Sequence, residues 1–159
     1  VGSEMCIRDR ILSEYGYHRY EISNYAKAGY VCRHNVGYWK RVDYIGFGLG
    51  ASTLQNPLRY KNTDDLQEYL NRDFSKKELL VLTKDNQIEE TLFLGLRMME
   101  GVSLSAFEEH FHCPLTVIYQ REIQKLTEKG LLRIEEDRIS LTEKGIDLSN
   151  MVLSEFLLG

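Results

Sequence analysis

The sequence predicts a mixed α/β chain of two packed units, the second a small winged-helix-like α+β domain. Three observations carry that prediction. Composition changes near residue 84: nine of the ten tyrosines precede it, and the formal charge is +2 over residues 1–83 and −6 over residues 84–159. No Pro/Gly-rich linker marks the change, so the units are expected to pack together rather than swing on a tether. The second half runs through helix-period segments, a hairpin and a last helix, whereas the first mixes short β-rich runs with loops.

The elements follow in chain order. Residues 1–10, VGSEMCIRDR, show no apolar periodicity and read like the translation of a sequencing-adapter end. They are set aside from the fold, and Cys6 with them. On that reading the natural chain begins upstream, and residues 11–83 are the tail of its first unit. ILSEYG reads as a helix end stopped by Gly16. YHRYEIS is rich in aromatic and β-forming residues and predicts a strand. NYAKAGYVCRHNVGYWKRV has no clean period and reads as a long loop with short helical turns. DYIGFGLGAST reads as a buried strand ending in glycines, and LQNPLRYKN as a turn and a short strand. TDDLQEYLNRD predicts a helix capped by Thr63 or Asp64.

In residues 84–159 the periods are cleaner. DNQIEETLFLGLRMME predicts an amphipathic helix capped by Asp85 or Asn86 and stopped by Gly101. SLSAFEEHF predicts a second, with Ser103 as its cap, and LTVIYQREIQKLTEKG a third, closed by Gly130. LLRIEEDRISLT alternates as a hairpin around Glu136-Asp137, and EKGIDLSNMVLSEFLL closes the chain as a helix.

Composition excludes several function classes. At 159 residues, 43% apolar and 28% charged, the chain reads as globular. No apolar run approaches the roughly 18 residues of a membrane span. Cys6, Cys32 and Cys113 are widely spaced without a C-x-x-C. That is neither a disulfide framework nor a zinc site, and it suits a reducing, cytoplasmic setting. A winged helix could bind DNA through its third helix. Here that helix offers Gln120, Arg121, Gln124, Lys125, Glu128 and Lys129, a mixed face, and the wing EEDR is acidic. With a formal net charge of −4 over the chain, no nucleic-acid partner is expected. His110 and His112 flank Phe111 without an acidic or sulfur partner at helical spacing, so they read as decoration of a helix end. Cys113, before Pro114, reads as a small turn residue.

Two stretches hold the candidate chemistry. In GFGLGAS, Gly46, Gly48 and Gly50 fall on one face if the segment is a strand, leaving that face bare for a flat ligand or for tight packing. The likeness to a dinucleotide fingerprint is superficial, because no helix pattern follows and no acid ends a second strand about 20 residues on. VCRHNVGYW concentrates capable side chains in nine positions, residues 31–39. A neutral imidazole at His34 can ligate iron, and Asn35 could orient it. Tyr38 and Trp39 offer apolar faces, and Arg33, Lys40 and Arg41 could pair with carboxylates. Together these suit an iron porphyrin. The alternative is a loop histidine bonded to backbone, with Trp39 anchoring the loop to the core.

The stretch YEISNYAKAGYVCRHNVGYWKRVDYIGFGLGAS closely resembles the C-terminal barrel segment of the HemW-type heme chaperones, in the radical S-adenosylmethionine superfamily. Their H-N-x-x-Y-W motif matches His34, Asn35, Tyr38 and Trp39 in full. FLGLRMMEGVSLSAFEEHF and GLLRIEEDRISLTEKGIDLSN resemble the same family's winged-helix-like C-terminal domain. The resemblance implies a fold: the end of a partial TIM-type barrel over residues 11–83, then the small domain over 84–159. It implies heme bound at His34, Asn35, Tyr38 and Trp39 and passed to an acceptor protein. It implies S-adenosylmethionine contacts at Gly48, Gly50, Ala51 and Ser52. The family's [4Fe–4S] cluster sits on C-x-x-x-C-x-x-C, which this sequence lacks, so this stretch alone is expected to hold no cluster. The family is similar to oxygen-independent coproporphyrinogen III oxidase, which is the alternative activity: oxidative decarboxylation of a metal-free porphyrinogen. That oxidase looks different here, without the histidine, so His34 separates the two readings.

Overall fold

In a computed structural model of the chain, residues 2–72 and 75–157 are described. The expected ends of two helices, at Asp73 and at Leu158, lie outside them. The first region holds helix α1 (Gly2–Glu14), strands β1 (His18–Arg19) and β2 (Tyr25–Ala26), and helix α2 (Arg33–Trp39). Strands β3 (Ser52–Gln55) and β4 (Leu58–Lys61), helix α3 (Leu66–Leu70) and strand β5 (Lys77–Val81) follow. The second region begins with helix α4 (Lys84–Gly95), strand β6 (Val102–Ser103) and helices α5 (Leu104–Phe111), α6 (Leu115–Ile118) and α7 (Gln120–Glu128). It closes with strands β7 (Leu132–Glu135) and β8 (Arg138–Leu141) and helices α8 (Glu143–Asp147) and α9 (Ser149–Ser154). The sheets run β1-β2, β3-β4-β5 and β6-β8-β7, with every pairing antiparallel.

The second region is built around one core. Leu92, Leu96, Phe107, Leu126, Ile139 and Phe156 are buried in it, with residues from every helix and from the hairpin. Each such side chain is worth about 1.5–3 kcal/mol when withdrawn from water. The hairpin turns where expected, with Glu135 opposite Arg138. Gly101 has φ +66, and a Cβ there would meet the Ile139 carbonyl oxygen at 2.0 Å, so only glycine lets β6 approach β8.

Several expectations need correction. Helix α4 is capped by Thr83, not by Asp85 or Asn86; Asn86 instead returns a side-chain bond and closes a capping box. It ends at Gly95 rather than at Gly101, because the residues after it leave the helix to pair with the first region. The Ile22 N–H donates to the Arg97 carbonyl at 3.0 Å, and the Met99 N–H to the Tyr20 carbonyl at 3.1 Å. The third helix breaks at Tyr119, whose ring turns into the core edge-on to Phe156 at 5.3 Å. Burial pushes the Tyr119 phenol up to about 12. The last helix breaks likewise at Leu148. Helix α3 is capped by Asp65, while Thr63 accepts from the Asp65 N–H and donates to Glu68. Backbone α1 runs through residues 2–10, which the sequence reading set aside.

The glycine segment is not a strand. Residues 43–51 form an irregular loop tied to β3 by the bridge between Tyr44 and Leu54 and by the Gly46 N–H, which donates to the Thr53 hydroxyl at 3.0 Å. Gly48 at φ +105 and Gly50 at φ +64 lie in the left-handed region, which a strand does not contain. The Asn62 side-chain amide donates to the carbonyls of Gly46 and Gly48, at 3.2 and 2.9 Å, and holds the loop in that shape.

Candidate functional site

Helix α2 carries the H-N-x-x-Y-W residues and is one of the short helical turns expected in this otherwise aperiodic stretch. Its N-cap, Cys32, is extended but gives no side-chain cap, and no residue of the helix is buried. So short a helix is marginal by itself. Its C-terminal end is what the rest of the protein holds. Lys40 pairs with Glu100 at 2.7 Å. Buried Arg41 donates to Glu90 at 3.1 Å and to the Asn56 side-chain oxygen at 2.8 Å. Glu90 is shared with Arg59, at 2.7 and 2.8 Å.

Trp39 is fixed by residues that the sequence reading did not single out. The Arg97 guanidinium lies 4.4 Å from the Trp39 ring centroid. Arg97 is in turn set by Glu21, which is 0% exposed and accepts from it at 3.4 Å. Glu21 also accepts from the Ser23 N–H at 2.9 Å and from the Asn24 amide at 2.6 Å. Glu21 and Arg97 are 76 residues apart. The one sequence signal was a carboxylate inside an apparent strand.

At the other end of α2, His34 is exposed, and none of the hydrogen bonds among the described residues involves it. Its ring meets Tyr38 edge-on at 4.6 Å, and Tyr38 meets Tyr44 edge-on at 4.7 Å. Burial, the largest influence on the Tyr44 phenol, pushes it above its ordinary range. The result is a free imidazole at the end of a row of three rings.

The four motif residues therefore do not share one surface. Helical geometry puts His34 and Tyr38 about 40° apart around the axis, but His34 and Trp39 about 140° apart. Asn35 does not orient His34; neighbours in a helix do not face each other, and no hydrogen bond joins them among the described residues. Of the three cations expected to meet carboxylates, Arg41 is buried and committed to Glu90 and Asn56, and Lys40 is engaged by Glu100. Arg33 is exposed and has no ion pair among the described residues. Trp39 faces a cleft of about 420 Å³ that helix α5 lines on the other side.

Much of the glycine loop is committed to its own fold. The Gly50 N–H donates to the Thr63 carbonyl at 2.8 Å, and the Ala51 carbonyl accepts from Asn62 at 2.9 Å. Gly48 has open space where a side chain would stand, and Ser52 opens β3. Cys32 and Cys113 are both free. Among the described residues no group of three or more His, Cys, Asp or Glu is placed to hold a metal ion, and no helix is long and apolar enough to cross a membrane. On α7, Lys125 is bound by Glu155 at 2.8 Å, which removes a cation from the face a DNA reader would need.

The chain is similar to several known proteins. The HemN C-terminal domain family matches residues 82–148. The heme chaperone HemW of Lactococcus lactis is 40% identical over 150 residues, covering 93% of this chain and 40% of the relative. HemW of Bacillus subtilis is 37% identical over 150 residues, covering 92% of this chain and 40% of the relative. A mitochondrial radical S-adenosyl methionine domain-containing protein of Danio rerio is 29% identical over 166 residues, covering 94% of this chain and 37% of the relative. The chain thus spans about two fifths of the length of the curated relatives it matches. In three dimensions it resembles coproporphyrinogen III oxidase (HemN) from Escherichia coli, a radical SAM enzyme, with a TM-score of 0.71. That likeness is at 17% identity and covers 96% of this chain and 39% of the other, so it speaks to the fold. Residues 82–148 match the HemN C-terminal domain family, and along most of its length the chain is similar to part of the HemW heme chaperones.

Proposed function

We propose that this chain is the heme-holding part of a cytoplasmic heme chaperone that passes heme to an acceptor protein. His34 takes the iron, and Tyr38 and Tyr44 flank the macrocycle. Asn35 and Trp39 act from the neighbouring face of α2, where Trp39 ties the helix to Arg97. The observation that carries the proposal is the state of His34: exposed, unbonded, and backed by aromatic rings. An imidazole on an open surface suits cargo that must leave again, in a way that a buried axial ligand does not. Gly48, Gly50, Ala51 and Ser52 are the proposed S-adenosylmethionine contacts, with Gly48 and Ser52 the freer of the four. The thiols of Cys32 and Cys113 do not fit a [4Fe–4S] cluster, and we assign that cluster to parts of the longer relatives that this chain does not span. The oxidase alternative has fold likeness behind it and gives His34 no task, since a metal-free porphyrinogen needs no iron ligand.

The test is titration of iron protoporphyrin into the chain and its His34→Ala variant, followed by Soret absorbance. The expected result is loss of the histidine-ligated band and an affinity about tenfold or more weaker. An unchanged spectrum and affinity would overturn the assignment.

A further inference from the structure

The cleft beside Trp39 is left without a task by the His34 reading, because the two lie on different faces of α2. Its volume of about 420 Å³ falls in the range of small-ligand sites. Its walls include Trp39, Met98, Phe107 and Phe111, so the interior is apolar and partly aromatic. Its rim carries Lys40, paired with Glu100, and Arg138, which donates to the Glu100 and Gly101 carbonyls at 3.3 and 3.4 Å; Arg41 lies buried beside them. Glu90, which partners Arg41, is shared with Arg59, so that trio keeps a positive charge. The Lys40–Glu100 pair is half exposed and easily exchanged for another carboxylate. Lys40 and Arg41 come from the first region, of formal charge +2, and Arg138 from the second, of −6, so the rim gathers cations from both sides of the cleft.

Two further observations point to an occupant. The Trp39 indole nitrogen is buried with no acceptor among the described residues, so the ring rather than its N–H is what the cleft presents. His110, on the last turn of α5, also lines the cleft; it is exposed, edge-on to Phe111 at 4.5 Å, and makes no hydrogen bond among the described residues. Aromatic walls, rim cations and a free imidazole together suit a flat aromatic carrying carboxylates.

We infer that the cleft between α2 and α5 is a second binding site, separate from His34, for a planar carboxylated macrocycle of the tetrapyrrole class. The ring edge enters against Trp39 and Phe107. Its carboxylates meet Arg138 and Lys40, and His110 is available to a metal in the ring. The choice of tetrapyrrole rests on the heme reading above; the charge and shape of the site do not.

The experiment separates the two. Metal-free mesoporphyrin needs no axial ligand, so its fluorescence anisotropy with the full chain reports the cleft, while iron protoporphyrin absorbance reports His34. Ala106 is exposed and lines the cleft, so Ala106→Trp fills it without touching the core. The expected result is that mesoporphyrin binding survives His34→Ala, falls about tenfold or more in Ala106→Trp, and falls several-fold in Arg138→Glu. His110→Ala should weaken the iron form and spare the metal-free one. Mesoporphyrin binding that is absent in the parent chain, or unchanged in both Ala106→Trp and Arg138→Glu, or lost in His34→Ala, overturns the second site. Failure of the His34 assignment shows separately, as an unaltered iron spectrum in His34→Ala.

Discussion

In the second region, Ile88, Leu92, Leu96, Phe107, Leu126, Ile139, Val152 and Phe156 close into a single buried cluster. In the first, the buried apolar residues among those described are Ala26, Leu54 and Leu82, while Ile45, Phe47, Leu49, Leu79, Leu80 and Val81 stand exposed. Phe47 is 88% exposed. The difference lies in where each region finds its partners. Helices α4, α5 and α7 meet one another and the β7–β8 hairpin, all within about 70 residues of sequence, so the core closes mostly on itself, with Ile22 of the first region packed against it. Among the described residues no comparable buried cluster forms on the sheet β3-β4-β5, and apolar faces of that kind are where further protein surface packs. The candidate heme residues sit on the region with the weaker core, and the second region holds them in place through Arg97, Glu90 and Glu100.

The contrast predicts unequal responses to the same substitution. Leu92 is 0% exposed at the centre of the second core, so Leu92→Ala should cost about 4 kcal/mol, the lost transfer energy plus the cavity. Leu80, half exposed on β5, should change stability by about 0.5 kcal/mol or less when truncated to alanine. Urea unfolding of both variants, followed by circular dichroism, checks this. Equal losses would mean that the two regions form one cooperative core.

The link between the regions comes next in size. Arg97→Met leaves the Glu21 carboxylate buried without its guanidinium, for about 3 kcal/mol. A merely structural loss would show only in unfolding. Because Trp39 is the single tryptophan, its emission also reads the loss of the cation above it. Unchanged emission, with stability kept, would show that α2 is held by Lys40 and Arg41 alone.

Legibility in the sequence followed the same divide. The caps and periods of the second region give local answers, so Ser103, the hairpin at Glu136-Asp137 and most helices were readable. Its breaks at Tyr119 and Leu148 were not, because tertiary packing decides them. In the first region, alternating glycines imitate a strand, yet two of them adopt left-handed backbone that alternation cannot reveal. The place and length of helix α2 were not readable because its apolar and polar residues follow no period; contacts at its C-terminal end hold it. The motif picked out four residues that the fold places on one helix, but its spacing could not show that His34 and Trp39 look onto different surfaces. Nor could any local pattern pair Glu21 with Arg97.

The smallest effect tests how the second region stays closed at its surface. Asp137, in the hairpin turn, accepts from the Ser103 hydroxyl at 2.6 Å, the Ser105 hydroxyl at 2.7 Å and the Ser105 N–H at 2.9 Å. It thus pins the wing to the start of α5. Those bonds, the Ser103 hydroxyl first, hold its carboxyl below the ordinary 3.8. A carboxylate whose folded value lies below its unfolded one adds stability that is present above the unfolded value. That stability is lost as pH falls through the folded value. Wild type and Asp137→Asn, compared by urea midpoint from about pH 6 down to about pH 2, should therefore differ most at the upper end and converge in acid. The amide keeps the shape and one acceptor oxygen but not the charge, so the difference between the two curves isolates the ionised form. The Lys125–Glu155 pair, whose carboxyl is also held low, is common to both proteins and cancels. A gap that stays constant across that range would mean that the wing is held by β6–β8 pairing, and that the two serines and Asp137 merely keep each other company at the surface.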